Sequence, residues 1–246
     1  VLEVSRVTRE VGGGDLSSTV LHRSGDELGD LSKSVNDMIV GLRGKLMMER
    51  FVGDHTRRMI QESVEGARKD QSPVRRSIAV LFSDVRGFTS YSEKHPPERV
   101  IQTLNVYLGL ETECVERHGG YVDKFVGDEI MAIFEGEDRE LRAVQAAIEM
   151  LEAVATAPIA DRMTVGIGIN AGDVVFGSTG SEGRQDYTVI GDVVNLAARL
   201  CSAASAQSVL VSDPVRAAVG DRIAFADTTE MTVKGKALPV RVHRVA

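Results

Sequence analysis

The chain has 246 residues, 43 % of them apolar and 26 % charged, which suits one large domain with an appendage and a full core. Its 29 Lys and Arg against 36 Asp and Glu leave a net charge of −7, arguing against nucleic-acid binding and against docking on an anionic membrane surface. No apolar run is long enough to span a bilayer, and Cys114 and Cys201 are too far apart in sequence for a metal motif, so they read as buried free thiols of a reducing compartment.

The sequence opens on Val1 with neither Met nor a signal peptide, so it is expected to be a soluble piece of a longer protein. Val1, Val4, Val7 and Val11 form a stripe at helical spacing, broken by Gly12-Gly13-Gly14-Asp15-Leu16. A second stripe, Leu28, Leu31, Val35, Met38 and Leu42 with Ile39 and Leu46 alongside, steps by threes and fours like a coiled-coil seam. Asp26 and Glu27 stand ahead of it, where acids favour a helix N-terminus. Such a helix cannot bury its stripe alone and is expected to need a partner from a second chain. Helix, glycine-containing connector, Asp26-Glu27-Leu28-Gly29 and Asn36-Asp37-Met38 together resemble the latter part of a HAMP linker domain over residues 1–50. The proline usual in its first helix is absent, and an ordinary dimerising coiled coil is the plainer alternative. The resemblance implies the cytoplasmic domain of a membrane-anchored bacterial protein. Residues 51–72 read as a signalling helix in which Phe51, His55 and Met59 are packing residues, ended by Pro73.

From Ser77 the pattern becomes mixed α and β. Ile78–Phe82 is a buried strand running into Ser83-Asp84-Val85-Arg86-Gly87-Phe88-Thr89. A helix opens at Pro96 or Pro97 and reaches Arg117, closed by His118-Gly119-Gly120. Tyr121–Phe134 reads as a hairpin with Gly127-Asp128 at its turn and a buried run from Ile130 to Phe134. A helix over 138–155, a strand from Met163 to Ile169, another beginning at Val174–Phe176 and a third at Tyr187–Ile190 follow. A helix then runs from Asp192 to Cys201, with tail strands near Val209–Val211, Phe225, Met231–Val233 and Val240–Val245. Strand–helix–strand–strand–helix–strand is the ferredoxin-like βαββαβ order, here with extra strands, so residues 73–246 are expected to form one α+β, palm-type domain.

Charged residues at the tip of a buried hairpin are costly unless they meet a partner, a metal or solvent. Asp84 at one strand end and Asp128 at the neighbouring turn could share hard cations and so serve phosphoryl transfer; structural capping explains the two acids equally well. Gly87, Phe88 and Thr89 lead toward a helix, and exposed backbone N–H groups in this stretch could hold phosphate oxygens. Asn195 and Arg199 share a helix face, where they could position a ribose and neutralise a transferring phosphate, or be a surface pair that captures a local acid. Lys124 and Asp186 match the N1 acceptor and N6 donor of adenine. Lys234 could reach terminal phosphates or protect a strand edge.

Four separated stretches carry a second resemblance: Phe82-Ser-Asp84-Val-Arg-Gly-Phe-Thr89, Lys124-Phe-Val-Gly-Asp128-Glu129, Asp186-Tyr-Thr-Val-Ile-Gly-Asp-Val-Val-Asn195-Leu-Ala-Ala-Arg199 and Val233-Lys234-Gly-Lys236. In type, order and spacing they are similar to the class III nucleotidyl cyclases over residues 76–246. The resemblance implies two Mg²⁺ or Mn²⁺ ions on Asp84 and Asp128, adenine selection by Lys124 and Asp186, ribose orientation by Asn195, transition-state stabilisation by Arg199 and β/γ-phosphate binding by Lys234. It also implies an antiparallel homodimer in which each site takes its metals from one chain and these other residues from its partner. The expected activity is adenylate cyclisation of ATP, regulated by the N-terminal helices. Guanylate or mixed specificity, a diguanylate-forming or polymerase-type domain and an inactive nucleotide sensor are the rivals.

Overall fold

The computed structural model describes residues 2–21, 25–49, 53, 56–57, 73–159, 161–181, 184–232 and 239–246, with the backbone alone at Glu49 and residues 184–186. The chain divides into two compact units, Val1–Gly53 and Asp54–Ala246.

In the first unit α1 (Leu2–Gly12) and α2 (Glu27–Glu49) form around a small apolar cluster. Val7 is buried with Val20, Val35 and Ile39, flanked by Val4, Val11 and Leu16. Asp26 caps α2 by accepting the N–H groups of Leu28 and Gly29, both at 3.1 Å. Asn36 holds the connector: its Oδ1 accepts Val20 N–H at 2.9 Å and its Nδ2 donates to Val20 C=O at 3.0 Å. The expected seam of α2 is therefore divided. Val35 and Ile39 find their partner in α1 and the connector of the same chain, while Leu31, Met38, Leu42 and Leu46 remain exposed. Apart from residues 53, 56 and 57, the expected signalling helix over 51–72, with Phe51, His55 and Met59, lies outside the described residues.

The second unit runs β1 (Val74–Arg86), α3 (Phe88–Ser92), α4 (Pro97–Arg117), β2 (Tyr121–Val126), β3 (Glu129–Phe134), α5 (Arg139–Thr156), β4 (Thr164–Ser181), β5 (Arg184–Ile190), α6 (Asp192–Ala203), β6 (Ser208–Ser212), α7 (Asp213–Val219), β7 (Phe225–Met231) and β8 (Val240–Val245). The sheet order is β2-β3-β1-β4-β6-β8-β7, with β5 paired to the distal half of β4. Its first four members, joined through α4 and α5, are the expected ferredoxin-like core.

Alternation along β1 sorts the side chains between two layers. Ala79, Leu81 and Val85 pack with Tyr107 and Cys114 of α4 and Val144 and Ala147 of α5. Ile78, Val80 and Phe82 face the other way, onto Ala197 and Cys201 of α6. The run Ile130–Phe134 is buried as expected, and both cysteines are buried and free.

Four features differ from the sequence expectation. The strands expected at Met163–Ile169 and Val174–Phe176 are one strand, because β1 pairs straight through the intervening residues, with Ile78 opposite Gly172. The short helices α3 and α7 were not foreseen; five and seven residues give too little periodicity to read. In β2 the register shifts between Val122 and Lys124, leaving Asp123 as an extra, bulged residue. Phe225 and Met231 belong to the same strand, and Val233 lies outside the described residues.

Helix α6 sits unusually close to the sheet. A Cβ on Gly168 would fall on the backbone of α6 at Ala197, Leu200 and Cys201. Cys201 Sγ donates to Gly166 C=O at 3.1 Å, and buried Asn170 donates to Val193 C=O at 2.9 Å. Gly168→Ala is expected to push α6 outward and cost about 1–3 kcal/mol, lowering the melting temperature by roughly 2–8 °C in thermal denaturation. An unchanged midpoint would show that α6 is not held by this contact.

Candidate active site

β1 and β3 are antiparallel with Asp84 opposite Glu129, so the turn residue Asp128 stands beside the β1 carboxylate. Gly127 and Asp128 form the two-residue turn between β2 and β3, and Gly127, the first of them, has φ 66°. Asp84 lies on the face that carries Phe82, toward α6, while Ser83 points toward α4.

Negative charge is crowded here. Burial, then the neighbouring Asp84 carboxylate, raises Asp128. Burial, Asp84 and Asp128 push Glu129 up to about 7. Beneath them Glu111 of α4 is fully buried and its Oε1 accepts a hydrogen bond from Ser83 Oγ. Desolvation, opposed by that bond and reinforced by Asp84 and Asp128, pushes Glu111 up to about 8. Reading the sequence did not single out Glu111; its position four residues after Tyr107 and three before Cys114, on the apolar face of α4, was the available signal. Arg86 supplies positive charge: its Nη1 bonds Asp84 Oδ2 and its Nη2 bonds Cys201 C=O.

Asp84 and Asp128 offer two hard oxygen donors in a surplus of negative charge. That donor set fits Mg²⁺ or Mn²⁺, which commonly take one or two carboxylates and complete their shell with phosphate oxygens and water. Gly87 has φ 86° and precedes α3, whose first-turn N–H groups, including those of Phe88 and Thr89, have no acceptor within the helix.

The second group lies on β2, β5 and α6. Lys124 Nζ donates to Thr188 Oγ1 at 2.7 Å and stands 3.3 Å from Asp123 Oδ2. Thr188, on β5, was not selected from the sequence. Asp186 sits two residues earlier in that strand, and its side chain is outside the described residues. Asn195 is exposed and Arg199 half-buried on α6. Lys234 lies outside the described residues.

The profile of the adenylate and guanylate cyclase catalytic domain matches residues 71–244, and that of the HAMP domain matches residues 1–44. The chain therefore belongs to the class III nucleotidyl cyclases, its catalytic domain preceded by a HAMP domain. An uncharacterised protein of Mycobacterium tuberculosis is 33 % identical over 246 residues, covering 97 % of this chain and 46 % of that protein. The chain thus spans about half the length of the curated relatives it matches. Among solved structures, the guanylyl cyclase Cya2 is 38 % identical with a TM-score of 0.66, covering 70 % of this chain and 93 % of that one. The adenylyl cyclase CyaB of P. aeruginosa is 34 % identical with a TM-score of 0.66, covering 71 % and 96 %.

Glu111 gives a pH test. An acid raised in the folded state keeps a proton that the unfolded chain releases. Its stabilising contribution is complete below the ordinary glutamate value of 4.5 and is lost as pH rises to about 8. Glu111→Gln cannot ionise, so it is expected to melt about 5 °C or more above the unmodified chain at high pH and near it in mild acid. Parallel melting curves at every pH would contradict the raised carboxyl.

Proposed function

We propose that the chain is an adenylate cyclase, converting ATP to 3′,5′-cyclic AMP and pyrophosphate. The ribose 3′-oxygen attacks the α-phosphorus in line, the bond to the bridging oxygen of the β-phosphate breaks, and the 3′ proton passes to water. Asp84 and Asp128 would hold two Mg²⁺ or Mn²⁺ ions. When bound there, such ions supply activation of the 3′-hydroxyl and neutralisation of the leaving pyrophosphate. The first-turn N–H groups at Gly87, Phe88 and Thr89, with Lys234, hold the phosphates. Asn195 orients the ribose and Arg199 meets the charge that builds on the α-phosphate.

The observation that carries the choice of base is the Lys124–Thr188 contact. Lys124 can donate to adenine N1, and a hydroxyl at 188 can accept from N6; guanine presents a donor at N1, which opposes a lysine. A hydroxyl also donates, so discrimination falls chiefly on Lys124, with Asp186 beside it on β5. The 38 % identity to a guanylyl cyclase supports guanylate or mixed specificity as the second reading.

We further propose a homodimer with shared sites, each chain giving its metal half to one site and Lys124, Thr188, Asn195 and Arg199 to the other. Phe125, Val126 and Ile190 expose apolar surface at the hairpin tip and the end of β5, which supports a partner there. The HAMP domain supports a parent protein anchored in a membrane, with its cyclase in the cytoplasm and controlled by the N-terminal helices. No helix of the described residues is long and apolar enough to cross a membrane.

Comparing kcat/KM for ATP and GTP tests the base assignment. ATP is expected to be preferred, with Lys124→Ala losing at least about tenfold of that preference. Equal rates on both nucleotides would favour mixed specificity. Asp84→Ala and Arg199→Ala are each expected to lower kcat by about 100-fold or more. Mixed and allowed to exchange, the two variants should recover about a quarter of normal activity, because half the dimers regain one site of two. No recovery between chains that demonstrably exchange would rule out shared sites.

A further inference from the structure

Arg86 occupies a position that the proposed chemistry leaves unexplained. It extends from the end of β1 on the same face as Asp84, two residues earlier. Its guanidinium lies over Gly166, the residue paired with Asp84 across β1 and β4, where a Cβ would collide with Nη2 and Nε. One arm is bonded to the Asp84 carboxylate. The other is bonded to Cys201 C=O, which also accepts Ala204 N–H at 3.0 Å in the last turn of α6. That turn is the negative end of the helix dipole, a natural seat for a cation. Arg86 Nε is buried and has no acceptor. The guanidinium is thus held at its two ends, by an acid that would ligate metal and by the helix that carries Asn195 and Arg199.

We propose that Arg86 is a displaceable internal cation, a latch between the metal half-site and α6. In the metal-free chain it neutralises Asp84 and ties that carboxylate to the C-terminal turn of α6. A divalent cation on Asp84 and Asp128 competes for the same oxygen, so loading drives Arg86 off Asp84 and changes the restraint on α6. Arg86 is a positioning residue in this scheme: it acts through Asp84 on one side and through α6 on the other. The inference rests on the reading of Asp84 and Asp128 as metal ligands. If sites are shared between chains, loading a metal in one site would thereby be felt by Arg199 in the other.

The test uses the full chain without nucleotide, at a pH above 8 so that the neighbouring acids are ionised. Mn²⁺ binding is followed by the electron paramagnetic resonance of the free ion, and hydrogen exchange is read at residues 200–204. Mn²⁺ is expected to bind the unmodified chain, to fail on Asp84→Asn, and to speed exchange in that turn at least twofold. Arg86→Met should bind Mn²⁺ about tenfold more tightly and exchange at the loaded rate with or without metal. Arg86→Lys keeps the charge but lacks the second arm, so its exchange should match Arg86→Met while its Mn²⁺ affinity stays near that of the unmodified chain. If Mn²⁺ binds and Asp84→Asn abolishes binding, yet exchange at 200–204 is unmoved by metal, the latch is wrong and the metal site stands. If Asp84→Asn binds Mn²⁺ as well as the unmodified chain, the metal site fails and the latch fails with it. The exchange arm needs no variant, so a misfolded substitution does not blunt it.

Discussion

The antiparallel register of β1 against β3 is the constraint from which the site follows. It sets Asp84 opposite Glu129 and brings the turn acid Asp128 alongside, at the rim of a sheet whose interior is apolar. Like charges gathered beside low-dielectric surface repel strongly, and burial together with that repulsion raises Asp128 and Glu129. The strands hold the carboxylates together against it, because slipping the register by one residue would exchange the side chains of the buried run Ile130–Phe134 between the two packed layers. Core burial therefore stabilises an arrangement that electrostatics alone would disperse. Under the proposed function, this surplus negative charge is in place before divalent cations arrive.

The same alternation divides labour within a few residues. Ser83 faces α4 and meets Glu111, whereas Asp84 and Arg86 face α6. Helix α6 can approach closely because Gly168 stands beneath it, while Gly166 leaves room for the Arg86 guanidinium. The helix that bears Asn195 and Arg199 is thus seated on the backbone of β4, next to the strand that bears Asp84.

Much of this was legible in the sequence. The hairpin, α4, α5 and α6 carried strong periodicity and clear turn or proline signals, and their bounds agree closely with expectation. The neighbourhood of Asp84 and Asp128 followed from placing a strand end beside a turn. Contacts that depend on geometry across the sheet were less legible. Thr188, which accepts a hydrogen bond from Lys124 Nζ, was not singled out, because sequence spacing does not show which residue of another strand a lysine reaches. Glu111 looked like one more helix acid until its burial was known. In the HAMP domain a single seam was expected; folding back of the connector gives Val35 and Ile39 an internal partner and leaves the other apolar positions outward.

The bulge at Asp123 has a consequence for how this family member can change in length. Tyr121 pairs with Ile133 and Lys124 with Met131, and both partners belong to the layer beneath α6. Residues three apart on a regular strand would point to opposite faces. The extra residue resets the parity, so an aromatic that packs and a cation that meets β5 share one side. Removing a single residue between them, with the turn kept in place, would swing Tyr121 into the opposite layer or carry the ammonium into the core under α4 and α5. β2 is therefore a segment in which substitutions are tolerated far more readily than a one-residue deletion.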